Sequence, residues 1–199
     1  MHIEIVEPPS ENSDSLEPEP SDNTHLKKTE NFSLVKFETG EVALSILEKR
    51  WKELFNSVDK SELSSLVEAT INSSSHPVNI PDKKTTLSIV ATDNAHMQQL
   101  NSQFSNKPLP TNILSFPDGS IDQILNEFHL GDIFLGYEII NNEAVSQNIP
   151  LKNHVMHLIV HGTLHLLGYG HENEYQAHIM QRKEVAILDR FNIPDPYLL

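Results

Sequence analysis

From Leu151 to Leu167 the chain is apolar around most of a helical circumference, carrying Val155, Leu158, Ile159, Leu166 and other apolar residues around it. A helix of that kind must be buried on nearly every side, so the rest of the chain has to be built around it. Polar side chains inside such a helix need a reason, and this one carries His161 and His165. Four residues apart, they stand one turn up the same face, and both rings can reach a common point. Gly168 follows, a residue that takes positive φ and ends a helix so that the chain doubles back. His171 lies on the returning segment.

Three neutral imidazole nitrogens suit zinc best among the common biological metals, and three protein ligands rather than four leave a position for water. The expected ligand set is His161, His165 and His171 around one Zn2+ per chain, and an open site of this kind is usually catalytic. The bland alternative is a surface histidine cluster with no ion. His157, one further turn back, reads as a histidine hydrogen-bonded within the helix packing, because its ring would have to stretch past His161. The same spacing occurs in the long zinc-peptidase signature HExxHxxGxxH, where a glutamate after the first histidine takes a proton from water. Here that position is Gly162. The metal framework fits that class; the peptide-cleaving apparatus does not.

The block HGTLHLLGYGH resembles the signature HGxLHLxGYDH of the bacterial YbeY family, single-strand-specific endoribonucleases. Leu100 and Asn101, then Pro110 to Pro117, are similar to the family's LN and PT(D/N)VLSFP segments, and Gly131, Asp132 and Ile133 match its GDI. Met180 and Glu184 fall where the family has Met and Glu after the third histidine. The resemblance covers roughly residues 80 to 199. It implies an α+β fold, a small mixed β-sheet packed by helices with a central metal-binding helix. It also implies a zinc-dependent hydrolase of RNA phosphodiesters that matures the 3′ end of 16S ribosomal RNA and takes part in ribosome quality control. The implied partners are single-stranded RNA, ribosomal RNA and the small ribosomal subunit, with no DNA and no membrane. Ser105, Thr111, Asn112, Ser115 and Asp132 fall at positions similar to the family's substrate cleft. The bland reading of Thr111, Asn112 and Ser115 is that small polar residues near strand ends satisfy backbone groups; Asp132 is the nearest candidate for an acid, a base or a partner behind a ligand, and its bland reading is that it caps the strand turn.

Two departures stand out. Aligned without gaps, Phe104 takes the family's aromatic position and Ser105 stands where the family has arginine. Serine donates one hydrogen bond but carries no charge for gripping phosphate. Gly170 replaces the aspartate usual beside the third histidine, which removes a carboxylate able to orient a ligand. Two other readings therefore stay open: a metal-dependent hydrolase of another substrate, including peptides, and a non-catalytic ribosome-assembly factor with a structural metal.

Charge alone does not suggest a nuclease. The formal net charge is -14, whereas phosphate binding normally relies on lysine and arginine. Part of the excess is local, since Glu4, Glu7, Glu11, Asp14, Glu17, Glu19 and Asp22 all precede the first basic residue, Lys27. Residues 7 to 31 have the composition of a segment that cannot bury enough apolar area to order itself. The division expected is an acidic N-terminal extension, residues 1–40, with a possible first strand, and a single hydrolase domain, residues 41–199. The absence of cysteine excludes disulfides and thiolate metal sites. No apolar run approaches the length of about 20 residues that spans a bilayer, so a cytoplasmic protein is expected.

For the remaining elements, His2 to Val6 and Ser33 to Phe37 both alternate as strands, and either could be the first strand of the sheet. Val42 to Phe55 reads as a helix, with Trp51 as a core anchor rather than a base-stacking platform. A second helix follows from Ser61 as N-cap, then a strand from Thr86 to Val90 and a helix from Asn94 to Phe104. Asn112 to Phe116 and Leu130 to Tyr137 read as strands separated by a variable connection, Asp118 to Asn126. Helices from Glu138 to Gln147 and Gln176 to Phe191 flank the central one.

Overall fold

The structure is a computed structural model that describes residues 4–5, 31–73, 77–105 and 107–198. In chain order these form β1 (Glu4–Ile5), β2 (Phe32–Phe37), β3 (Gly40–Ile46), α1 (Trp51–Ser57), α2 (Lys60–Ile71), β4 (Lys84–Thr92) and α3 (Asn94–Ser105). Then come β5 (Ile113–Asp122), β6 (Glu127–Gly136), α4 (Tyr137–Ser146), α5 (Leu151–Leu166) and α6 (Glu174–Asp189). The strands make one mixed sheet in the order β1-β5-β6-β4-β3-β2. The pairs β2–β3 and β5–β6 are antiparallel, and the other pairs are parallel. The mixed sheet packed by helices is the architecture expected.

Period-two alternation decides what each face carries. Leu87 and Ile89 of β4, Ile113 of β5, and Ile133 and Leu135 of β6 are fully buried on the face covered by α2 and α5. Leu114, Phe116 and Phe134 point the other way and form a smaller cluster with Met97 and Leu100 of α3. The central helix α5 is buried from His154 to Leu166 because it touches the sheet on one side and α2, α4 and α6 on the others. Its apolar circumference is thereby explained.

Of the two alternating segments near the N-terminus, Glu4–Ile5 and Phe32–Phe37 are strands on opposite edges of the sheet, and His2, Ile3 and Val6 lie outside the described residues. The segment read from composition, residues 7 to 31, lies outside the described residues except for Asn31. The helix expected over Val42 to Phe55 is corrected to β3 followed by the short α1. Val42, Leu44 and Ile46 alternate with period two, and parallel pairing with β4 selects the strand; the helical pattern starts only at Trp51. Trp51 is fully buried, donates its indole N–H to the Thr92 carbonyl at 2.8 Å and meets the Tyr137 ring edge-on, which is a core role. Asp118 to Asn126 is mostly hairpin: β5 runs to Asp122 and pairs with β6 from Glu127. Its outer half is exposed, Ile121, Ile124 and Leu125 included, so no burial pattern marks it. Asp59, not Ser61, caps α2, its carboxylate accepting the Ser61 N–H at 2.8 Å.

Candidate metal centre

Helix α5 closes with a Schellman motif. The Gly168 N–H donates to the His165 carbonyl at 2.9 Å and the Tyr169 N–H to the Leu164 carbonyl at 3.0 Å, with Gly168 at φ 85°. That reversal returns His171 to the helix it has just left. The ring centroids lie 4.4 Å apart for His161 and His165, 5.0 Å for His165 and His171, and 5.7 Å for His161 and His171. One nitrogen from each lies within 4.8 Å of the other two.

The outward hydrogen bonds fix the chemistry of the inward nitrogens. His161 donates its Nδ1–H to Glu184 Oε1 at 2.7 Å, and His165 donates its Nδ1–H to the Tyr169 carbonyl at 2.9 Å. Both acceptors lack a proton, so each ring keeps its hydrogen on Nδ1 and turns a lone pair inward on Nε2. Those two Nε2 atoms are 2.7 Å apart, and the buried His171 Nε2 has no protein partner. Burial, reinforced by the neighbouring His161, pushes His165 down to about 3, and burial likewise lowers His161, so neither ring is an imidazolium at neutral pH. Two lone pairs facing each other at this distance repel unless a cation lies between them. The donor set therefore fits a divalent metal ion and leaves coordination positions beyond the three nitrogens.

Behind His161 sits a carboxylate with no solvent exposure. Glu184 accepts from His161, from His157 Nε2 at 3.1 Å and from the Tyr197 hydroxyl. Burial alone would raise its pKa, but the bonds from His157 and His161 outweigh that and hold it below the ordinary glutamate range. A buried carboxylate on the outer nitrogen of a ligating imidazole fixes the tautomer and makes the inner nitrogen a better donor. His157 thus has the hydrogen-bonded packing role expected. His161, His171, Met180, Gln181, Glu184 and Tyr197 line a cavity of about 200 Å3.

Gly162 faces the sheet. A Cβ there would lie 2.9 Å from Ile113 Cδ1, 3.0 Å from Ser115 Oγ and 3.1 Å from Ile133 Cδ1. The position that holds the base in the peptidase signature is used here to bring α5 close to β5 and β6.

The cleft residues are dispersed. Ser115 is buried between β5 and α5, one residue along the helix from His161. Asn112 accepts the Ile113 N–H at 2.8 Å and donates to both Glu143 oxygens at 3.2 Å, while Thr111 donates to Asn112. These bonds tie the start of β5 to α4. Asp132 lies on the other face of the sheet, 3.3 Å from His129 Nε2, and Ser105 ends α3 on that face. The structure brings the three histidines together and sets Ser115 nearby; it does not gather Ser105, Thr111, Asn112 and Asp132 into their cavity. Sequence reasoning gave Glu184 no role and overlooked Tyr197. The available signal for Glu184 was an acid standing in the stripe Met180, Ile187, Leu188 that α6 buries. Tyr197 reaches the site only through the fold of the C-terminal segment, and no spacing announces it.

A mixed sheet backed by a buried helix, with three converging imidazoles that could hold a metal ion, defines the class as an α/β protein with a candidate metal centre. Residues 47–192 match the family described as Endoribonuclease YbeY, and this chain belongs to that family. It is 36% identical to the Endoribonuclease YbeY of Ehrlichia canis over 157 residues, 79% of this chain and 97% of that protein. With the Francisella tularensis relative of the same name it shares 44% identity over 116 residues, 56% of this chain and 70% of that one. A Thermotoga maritima protein known from a solution structure aligns with 76% of this chain and 91% of its own, at a TM-score of 0.46 and 18% identity. Among the described residues no helix is long and apolar enough to cross a membrane.

Proposed function

We propose that this chain is a zinc-dependent endoribonuclease that hydrolyses phosphodiester bonds in single-stranded RNA, ribosomal RNA of the small subunit in particular. The observation that supports it most is the convergence of one nitrogen from each of three imidazoles in a chain whose curated relatives carry the name Endoribonuclease YbeY. His161, His165 and His171 would hold the ion. Bound there, it supplies Lewis-acid chemistry, generating a nucleophile from water near pH 7 and offsetting charge on the scissile phosphate.

The protein's own part is orientation and protonation. Glu184 and the Tyr169 carbonyl keep the protons of His161 and His165 on their outer nitrogens. Glu184 is no general base, because it has no solvent exposure and three donors already occupy its oxygens. Gly162 supplies none either, which disfavours a peptidase and suits a reaction in which water activation rests on the ion. Metal analysis beside cleavage of a single-stranded oligoribonucleotide tests the reading. Stoichiometric zinc with RNA cleavage that is lost on chelation and restored by zinc supports it. Peptide cleavage with RNA untouched, or small-subunit binding with no loss of function in a folded His165→Ala chain, replaces it with one of the alternatives.

A further inference from the structure

A polyanionic substrate at this centre needs cationic protein groups close by, yet the residues lining the histidine cavity include neither lysine nor arginine. Next to it lies a second groove of about 390 Å3 that shares Gln181 and Tyr197 with the first. Its wall carries Arg182 and His178, four residues apart on one face of α6. Both side chains are exposed, and Arg182 makes no ion pair among the described residues. The other cations near α6 are engaged or turned elsewhere: Lys183 lies 5.0 Å over the Tyr169 ring, and Arg190 is outside the groove.

We propose that Arg182 and His178 form the subsite for an RNA phosphate next to the one at the histidines. The proposal rests on the endoribonuclease reading above. A guanidinium binds phosphate through two parallel N–H donors, and a neighbouring imidazole adds a third. Gln181, shared by the two cavities, sits between the histidines and this pair with an amide able to donate to the connecting ribose-phosphate. The polarity of the groove gives the strand a direction. Asp189 and Asp195 line its other end, where they repel phosphate. The strand therefore leaves toward the N-terminus of α6, where Tyr175 stands 75% exposed three residues before His178. A free tyrosine face at that point offers a stacking surface to an unpaired base and none to a base already stacked in a duplex.

The test is steady-state cleavage of a short single-stranded oligoribonucleotide by the zinc-loaded full chain at several salt concentrations, comparing Arg182→Gln, His178→Gln and Arg190→Gln. Arg182→Gln is expected to raise KM about five- to tenfold with kcat within about twofold, the pattern of a lost contact made equally in ground and transition states. Its salt dependence should be shallower by about 0.7 in log–log slope, the value for one single-strand phosphate contact. His178→Gln should change KM in the same direction by less, and Arg190→Gln, which removes the same charge outside the groove, should leave both constants unchanged. Equal effects of Arg182→Gln and Arg190→Gln, or none from either in an active enzyme, overturn the subsite and leave the endoribonuclease reading standing. A wild-type chain that cleaves no RNA overturns both.

Discussion

Replacing Glu184 by glutamine tests whether the buried carboxylate prepares His161 for the metal. Glutamine keeps the size and one acceptor oxygen but removes the charge, and its NH2 group faces donors where an oxygen stood. Three bonds converge on Glu184, from His161, His157 and Tyr197. A hydrogen bond to a charged group contributes about 1.5–3 kcal/mol and a neutral one about 0.5–1.5, so the loss per bond is about 1 kcal/mol before any donor reorients. Reorientation of His157 and Tyr197 recovers part of this, whereas the Nδ1–H of His161 is left on a neutral amide oxygen. Loss of such a partner typically costs about 10- to 100-fold in metal affinity. We expect Glu184→Gln to weaken zinc binding by that factor, about 1.4–2.7 kcal/mol, in competition titrations against a chromophoric chelator. Glutamine suits the test better than alanine, because Glu184→Ala strands three donors in a site with no solvent exposure and would reduce folding itself. Zinc affinity within twofold of wild type, with equal thermal stability of the metal-free forms, would refute the reasoning.

Three further outcomes follow from the same geometry. His165→Ala should take bound zinc from about one per chain to none by atomic emission, since two imidazoles cannot hold the ion against a chelator; retained stoichiometric zinc would exclude the site. Gly162→Ala places a Cβ 2.9 Å from Ile113 and 3.0 Å from Ser115; overpacking of about 1–3 kcal/mol should lower Tm by about 3–10 °C in far-UV circular dichroism melts, and an unchanged Tm would contradict the close helix–sheet contact. The His129–Asp132 pair makes stability pH-dependent: hydrogen bonding to its partner raises His129 above 6.5 and lowers Asp132 below 3.8. The pair is complete above the ordinary aspartate value and below the ordinary histidine value. It is lost as pH rises through the raised His129 pKa and as it falls through the depressed Asp132 pKa. Both side chains are partly exposed, so the contribution is at most about 1 kcal/mol, and the Tm advantage of wild type over His129→Ala should shrink from about pH 6 to about pH 9. Parallel Tm curves would remove the pair from the account.

Legibility in the sequence followed how far each element's partners lie along the chain. The central helix was readable because its burial is nearly complete, and its reversal because Gly168 is required by a local Schellman motif. The stretch from Val42 misled because its apolar residues satisfy both periods locally. Only the pairing of Val42 with Leu87 and Leu44 with Ile89, across some 45 residues, resolves it as a strand. The β5–β6 hairpin was half missed for a similar reason: beyond Pro117 its strand has no buried face, so pairing alone defines it.

The site divides along the same line. His161, His165 and His171 are set by one helix and one turn, and their convergence was computable from spacing. The carboxylate and phenol behind them come from α6 and the C-terminal segment, and only tertiary packing joins them. Gly162 joins the two levels. Locally it is a missing base, but in the folded chain it is the point where α5 approaches Ile113, Ser115 and Ile133 closely enough to be buried. A glutamate there would have to displace Ile113 and Ile133 and place its charge in the core between helix and sheet, where desolvation opposes ionisation. Restoring the peptidase residue would thus disrupt the scaffold before it could add a base. The packing of the helix that carries His161 and His165, and not the histidine spacing, is what separates this centre from the peptidases whose spacing it shares.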